Sequence, residues 1–278
     1  MTSTSGPPPG DAEDPRQTAT RVLAAADFLW TTRRERWSRL PPELAPRNLD
    51  EAYAVQVILR ERLSEARGRI AGWSLALVSP APQRAFGIAH PLVSTIYDAT
   101  VYRSPARVRA RDFTQLNLAC TLAFRMAQGL SGSAGPHDRE AVQRAVSVCV
   151  PAIGLVDDRG SSDDAAVGAL QFAAENCWNA GLILGSPIPA WDRINLSRMR
   201  GRLAVQGKWV ADGLARELMG HPLDALTWLA NELPRRGSFL KTGDWAVLGP
   251  FLPLRVIGSG QEAVFSIDGI APVSLVVL

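Results

Sequence analysis

From Pro15 to Leu40, the apolar residues Val22, Leu23, Ala26, Leu29 and Trp30 recur at spacings of three and four. That is the period of an amphipathic helix, and Pro41-Pro42 ends it. A second helix is predicted from about Leu49 to Ala66, with Asp50 near its start and Gly68 past its end. The pattern then changes to short apolar runs separated by Gly, Pro and Asp, which predict strands. The better candidates are Ile70–Leu77, Leu116–Phe124, Val146–Val156, Leu182–Leu184, Leu203–Val205, Ala246–Val247, Leu254–Ile257 and Val273–Leu278. Helices are expected between them at Asp138–Ala145, Ala165–Asn176 and Pro222–Leu233. Helices lead and strands fill the centre and end, which predicts an α+β fold. No internal repeat and no linker interrupts the chain after residue 15.

Composition narrows the class. A chain of 278 residues with 46% hydrophobic residues can bury a substantial core. No apolar run approaches the roughly 20 residues of a membrane span. The first 14 residues hold three consecutive prolines and neither a basic nor an apolar segment, so they read as a disordered tail and not as a signal peptide. Residues 15–68 then form a helical segment packed on a β-rich domain at 69–278. Net charge is +3, and Lys208 and Lys241 are the only lysines among 30 basic residues, an arginine bias that fits a GC-rich genome. The densest basic run, Arg33-Arg34-Glu35-Arg36 beside Trp30 and Trp37, reads as a solvated helix face. It lacks the clustered basic surface of a nucleic-acid binder. Cys120, Cys149 and Cys177 are odd in number and set in apolar surroundings, as suits reduced, buried thiols in a cytoplasmic protein.

Several segments together resemble one family. Gly72-Trp73-Ser74-Leu75-Ala76-Leu77-Val78-Ser79-Pro80 resembles the Gly-Tyr-Lys-Ile-Gly-Leu-Thr-Ser-Pro region of the 2-keto-4-pentenoate hydratases. Pro151-Ala152-Ile153-Gly154-Leu155-Val156-Asp157-Asp158-Arg159 resembles that family's Pro-Ala-Ile-Glu-Ile-Val-Asp-Ser-Arg strand. Ala52-Tyr53-Ala54-Val55-Gln56, Leu240-Lys241-Thr242-Gly243-Asp244 and Gly269-Ile270-Ala271-Pro272-Val273-Ser274 match further segments in order, from about Leu23 to the last residue. The family includes the 4-oxalocrotonate decarboxylases and lies in the fumarylacetoacetate hydrolase-like superfamily. The resemblance implies N-terminal helices followed by a mixed β-sandwich or rolled sheet enclosing a pocket.

What the resemblance implies for chemistry is a loss. The family's Glu-x-Glu-Leu-Ala-Phe strand, which supplies carboxylates to a divalent ion, reads Ala119-Cys120-Thr121-Leu122-Ala123-Phe124 here, and the third glutamate is Gly154. Residues two apart on a strand share a face, so Ala119 and Thr121 point into the pocket without charge. Mg²⁺ requires oxygen ligands in near-octahedral order, so no metal and no other cofactor is expected. Asn117 shares the parity of Ala119 but is neutral. Asp158 shares that of Gly154 but lies roughly 13 Å along the strand. Glu175 aligns with an aspartate of the family's Ala-Asp-Asn segment. Ser74 replaces the family's lysine and Val78 its threonine, while Trp178 interrupts a run of small residues after Asn176. Ser74, Val78, Asn117, Ala119, Thr121, Gly154, Asn176 and Trp178 are the expected pocket lining, and each change makes the pocket less polar.

His90, in a segment matching one that closes over the family's pocket, is a candidate acid or base, along with Glu175 and Asp158. An Asp–Arg ion pair at Asp157-Asp158-Arg159 is the simpler structural account of those acids. Tyr97 and Asp98 lie in the same region as His90, whereas His137 reads as loop surface and His221 as a helix cap. Three functions remain open. One is a metal-independent cyclase or isomerase of bacterial specialised metabolism, acting on an apolar polyene- or polyketide-like intermediate held in a reactive conformation. The others are a non-catalytic partner of an active homologue and an ordinary metal-dependent hydratase or decarboxylase. The partner expected for the first is a small apolar molecule, with no nucleic acid and no membrane. Trp30, Trp37 and Trp228 on helices give apolar surface for a homo-oligomer.

Overall fold

The computed structural model describes residues 14–35, 39–132, 135–159 and 168–278. Residues 1–13 of the expected tail, together with Arg36, Trp37 and the start of the helix expected at Ala165, lie outside them.

Helix α1 spans Pro15–Thr31 and α2 spans Leu49–Arg67. Asp14 caps the first, its carboxylate accepting from the Arg16 N–H at 3.0 Å. Asn48 caps the second by accepting from the Glu51 N–H at 2.9 Å, so orphan N–H groups at both starts are satisfied by side chains. The first helix is shorter than the pattern predicted, because it tightens at Thr32–Arg34 into a single 3₁₀ turn. Its inward stripe is Val22, Ala25, Ala26 and Leu29. Leu23, counted with the apolar face, is half exposed, since one residue along a helix turns the side chain by about 100°. The second helix is anchored at its middle by Gln56, whose amide donates to the carbonyls of Val93 (3.0 Å) and Ala173 (2.6 Å).

Two sheets follow. The strands are β1 (Ile70–Ala76), β2 (Leu92–Tyr97), β3 (Val101–Arg103), β4 (Ala106–Val108), β5 (Leu116–Met126), β6 (Val146–Asp157), β7 (Asn179–Leu184), β8 (Arg200–Val205), β9 (Lys208–Leu214), β10 (Trp245–Val247), β11 (Arg255–Val256), β12 (Glu262–Ile267) and β13 (Val273–Val277). The larger sheet runs β2-β1-β10-β5-β6-β7-β3, with β11 paired to β5. The smaller runs β4-β13-β12-β8-β9. At the centre, β5 and β6 pair antiparallel from Leu116 opposite Asp157 to Met126 opposite Val146. Short helices α3 (Pro80–Ala85), α4 (Arg139–Arg144), α5 (Gly168–Ala174) and α6 (Pro222–Glu232) join the strands. This is an α+β fold of mixed sheets.

Strands β2, β3, β4, β9 and β12 were not read from the sequence. All six residues of β2 are buried, so it lacks the alternation that marks a half-buried strand. Gly72 shows why β1 can lie against β10. It has φ +152°, and a Cβ there would fall 1.9 Å from the Trp245 carbonyl oxygen. Only glycine admits so close a parallel neighbour.

The two faces of the large sheet differ in bulk. Leu118, Leu122 and Phe124 of β5 and Ile153 of β6 enter the main core with the helices. The opposite parity carries Ala123, Val150, Ala152, Leu182, Trp245 and Val247 into a smaller apolar cluster. Further along that second face the side chains shrink to Ala119, Thr121 and Gly154, and packing gives way to space.

Candidate functional site

That space is a cavity of about 550 Å³. Its walls on the sheet are Ser94 and Ile96 of β2, Ser74 of β1, Val247 of β10, Ala119 and Thr121 of β5, Gly154 of β6 and Leu182 of β7. Register explains the set. Ser74 stands opposite Ser94 and opposite Val247. Ala119 stands opposite Gly154, and Gly154 opposite Leu182. A Cβ added to Gly154 would meet the Ala119 Cβ at 3.4 Å, an ordinary contact. Further walls come from Val78 after β1, Phe172 of α5, Cys177, Asn179 of β7, Asp212 and Gly213 of β9, Glu217, and the segment from Gly249 to Leu254.

Of the residues expected from sequence, Ser74, Val78, Ala119, Thr121 and Gly154 line this cavity, whereas Asn117, Asn176 and Trp178 are not among its walls. Asn117 shares the face of Ala119 but lies under β11, opposite Val256. Trp178 backs the wall, its ring 4.6 Å from that of Phe172 at 73°. Asn176 is a support. Its side-chain oxygen accepts from the Thr95 N–H at 2.7 Å, and its amide donates to the Thr95 carbonyl at 3.0 Å. It thereby completes the unpaired edge of β2. Asn176, Cys177 and Trp178 all have positive φ, at 59°, 49° and 52°, a run of left-handed conformation in non-glycine residues that costs free energy and is held by its surroundings.

The three candidate acids and bases lie outside the cavity walls. His90 is half-buried in its loop, with its ring 5.9 Å from that of Trp228 and its Nδ1 3.1 Å from the Pro91 carbonyl. Asp158 follows the end of β6. Glu175 is buried, accepts from the Gln171 amide at 2.6 Å and lies 3.9 Å from the Arg159 guanidinium. Burial pushes its carboxyl above the ordinary carboxylate range, against the opposing hydrogen bond from Gln171 and the charge of Arg159.

In the polar turn after β6, Asp157 accepts from the backbone N–H of Thr114 (2.6 Å) and Gln115 (3.3 Å). Arg159 donates to the carbonyls of Thr32 (3.0 Å) and Glu35 (3.2 Å), fastening the end of the first helix. The first basic run is not a wholly solvated face. Arg33 is drawn inward, and burial lowers its guanidinium to about 10, helped by Arg67 and Arg159. Tyr97 is buried, while Asp98 pairs with Arg69 at 3.5 Å. His221 caps α6, with Nδ1 accepting from the Leu223 N–H at 3.1 Å, and His137 Nε2 lies 3.0 Å from the Ser131 carbonyl. The tryptophan argument for assembly changes as well. Trp30 and Trp228 pack against the core, and among the described residues the exposed tryptophan is Trp209 on β9, at 63%.

The cavity's donors do not suit a divalent cation. At the Ala119, Thr121 and Gly154 positions one hydroxyl is present, and Thr121 Oγ donates to the Leu122 carbonyl at 3.1 Å. The carboxylates in the walls are Asp212 and Glu217, both exposed, and Asp212 is paired with Arg200. Among the described residues no group of three or more His, Cys, Asp or Glu is placed to hold a metal, whereas Mg²⁺ and Ca²⁺ need several oxygen ligands converging at once. Cys120, Cys149 and Cys177 are free and buried, and burial pushes each thiol up, which leaves them protonated and poor nucleophiles. No helix among the described residues is long and apolar enough to cross a membrane.

Sequence reasoning missed Ser94, Phe172, Asp212, Glu217 and the Gly249–Leu254 wall. The signal available for the last was Gly249-Pro250 and Pro253 directly after a short apolar strand.

No family model matches the chain. It is 27% identical over 259 residues to the TodF product hydratase of Pseudomonas putida, covering 91% of this chain and 94% of that protein. It is 28% identical over 236 residues to 2-keto-4-pentenoate hydratase 1 of Dechloromonas aromatica, covering 84% and 88%. In structure it matches 4-oxalocrotonate decarboxylase from Pseudomonas putida G7, solved with magnesium and adipate, at a TM-score of 0.85 and 21% identity over 94% of this chain and 98% of that one. Along most of its length the chain is similar in sequence to the 2-keto-4-pentenoate hydratases, and it has the fold of 4-oxalocrotonate decarboxylase and of a putative fumarylacetoacetate hydrolase family protein from Yersinia pestis CO92.

Proposed function

We propose that this hydratase relative is an enzyme that works without a divalent ion. It closes or isomerises an apolar polyene- or polyketide-like molecule by holding it in a reactive conformation. The observation that carries the reading is the cavity itself, about 550 Å³ with Ala119, Thr121 and Gly154 at its inner wall. That volume suits a drug-sized ligand. Its walls are mainly aliphatic and aromatic, with buried hydroxyls at Ser74, Ser94 and Thr121. Such a site offers orientation and exclusion of water, which together can supply several kcal/mol of a cyclisation barrier. It offers no general base on its inner wall, so the chemistry it suits is a rearrangement whose bonds reorganise within the substrate.

The test uses a neutral fluorescent probe, N-phenyl-1-naphthylamine, with the wild-type protein and Gly154→Leu. The leucine side chain would extend past the Ala119 contact into the cavity while leaving the register of β5 and β6 intact. Saturable binding that Gly154→Leu abolishes, with unchanged circular dichroism and no heat on titration with Mg²⁺ or Mn²⁺, supports the reading. Micromolar binding of either ion, with hydration of 2-keto-4-pentenoate in its presence, would overturn it in favour of an ordinary hydratase.

A further inference from the structure

We infer that the cavity takes a ligand whose polar end is an uncharged carbonyl, and that it discriminates against a carboxylate, the charge borne by a 2-keto acid. The inference rests on the cavity being the substrate site and adds the charge class of its occupant.

Among the described residues, the charged side chains in the walls are Asp212 and Glu217, with no arginine, lysine or histidine. Both acids are exposed, as is Leu254 at 46%, so they mark the open end. The closed end is formed by Ser74, Ser94 and Thr121, at most 9% exposed. An anionic ligand would pass Glu217 and the Asp212–Arg200 pair and then lose its water beside neutral groups, a burial of charge without a counter-ion. Two guanidinium groups touch wall residues without being wall residues themselves: Arg200 is paired with Asp212, and Arg67 donates to the Asn179 carbonyl at 3.2 Å. The Asp212 carboxylate and the Asn179 carbonyl each already occupy donors of the group they meet.

The closed end does have donors for a neutral acceptor. Ser74 Oγ is 3.5 Å from the Leu75 carbonyl, and Ser94 Oγ is 3.4 Å from the Ser74 carbonyl. Hydroxyl hydrogen bonds favour about 2.7–2.8 Å, so both are stretched and either hydroxyl can turn to a better-placed acceptor. The two serines are register partners across β1 and β2. A ketone, lactone or ester oxygen resting between them would accept from both and withdraw electron density from a conjugated chain lying along the apolar walls. That polarisation would assist rearrangement without generating a free charge.

The experiment compares cis-parinaric acid with its methyl ester, two fluorescent tetraenes that differ in one charge at pH 8. Wild-type protein should bind the ester at least about tenfold more tightly than the acid. The Asp212→Asn/Glu217→Gln variant should narrow that ratio by strengthening the acid. The Ser74→Ala/Ser94→Ala variant should weaken the ester and leave the acid unchanged. Equal or tighter binding of the acid overturns the inference. So does a ratio that neither variant moves, since hydrophobicity alone would then set the preference. If neither probe binds, or both bind Gly154→Leu as well as wild type, the cavity reading falls and this inference falls with it.

Discussion

Replacing Asn176 with alanine tests whether one side chain holds the cavity's back wall in shape. Strand β2 is the edge of the large sheet, and Thr95 at its middle is fully buried. The backbone N–H and carbonyl of Thr95 therefore have neither a further strand nor water to bond, and the Asn176 amide serves both, at 2.7 and 3.0 Å. Alanine would leave two buried backbone groups unmet, at about 1–3 kcal/mol each. It would also place a Cβ residue without a compensating side chain at φ 59°, adding on the order of 1 kcal/mol. The expected loss is about 3–7 kcal/mol. At roughly 2–4 °C per kcal/mol for chains of a few hundred residues, the thermal midpoint should fall by at least about 6 °C in calorimetry. Asn176→Gly loses the same bonds but relieves the backbone, so it should fall between alanine and wild type, and the Gly–Ala gap measures the strain. Because Cys177 is a wall residue and Trp178 packs on Phe172, the variants should also weaken probe binding beyond their effect on folding. An Asn176→Ala protein within about 1 kcal/mol of wild type would refute the bonding account.

The remaining predictions concern burial and charge. Cys120, Cys149 and Cys177, all buried with raised thiol pKa, should react with Ellman's reagent at pH 8 only slowly when folded and fully in denaturant; rapid native labelling of all three would contradict their placement. Glu175 has a raised carboxyl pKa, so its contribution favours folding most below the unfolded value of about 4.3 and is lost as pH rises through the folded pKa. Wild type should lose ground to Glu175→Gln in urea unfolding as pH rises above the unfolded value, and a stability gap that is flat with pH, or moves the other way, would show that Arg159 dominates. Gly72→Ala, whose Cβ would meet the Trp245 carbonyl at 1.9 Å, should unpair β1 from β10 and yield little folded protein. Normal yield with a wild-type midpoint would show that the two strands can separate without harm.

The centre of the site was legible because strand parity carries a great deal of information. Ala119 and Thr121 share a face by spacing alone, and Gly154 joins them once β5 and β6 pair in register. Parity by itself does not bring those two strands together; the family resemblance of both segments does. The walls contributed by loops and by the second sheet were not legible in the same way. Nothing periodic places Asp212 or the Gly249–Leu254 segment beside Ala119, since a loop's position follows from the elements it spans and not from its own pattern. His90 failed differently. Its segment resembled one that closes over a pocket, but the ring packs beside Trp228, and a histidine's chemistry says nothing about which neighbour its loop will meet. Glu175 was singled out as a candidate acid, yet it is buried outside the cavity walls with its carboxylate turned to Gln171 and Arg159. A change of one residue in helical phase suffices for that.

The size of the opening bears on whether the chain has drifted from the hydratases or been put to another use. Packing does not force the space to exist, because a Cβ at Gly154 would meet Ala119 at ordinary contact distance and alanine would fit there at once. Nor does the space carry the full cost of a sealed apolar void, which is about 24 cal/mol per Å³, because its exposed rim lets water in. Drift under weak constraint would therefore be free both to fill the cavity and to leave it polar. The inner wall is not filled, and its polar groups are the hydroxyls of Ser74, Ser94 and Thr121: its smallest residues sit at the sheet's centre, where Ala119 faces Gly154, and larger apolar side chains surround them. Small residues in the middle and apolar ones around them make a shaped recess, and the charge pattern has a direction as well, with acids at the rim and hydroxyls at the floor. An arrangement with both shape and polarity is better explained by a ligand that enters apolar end and carbonyl together than by relaxed selection on an idle pocket. The ester-to-acid ratio is the quantity on which these two accounts diverge.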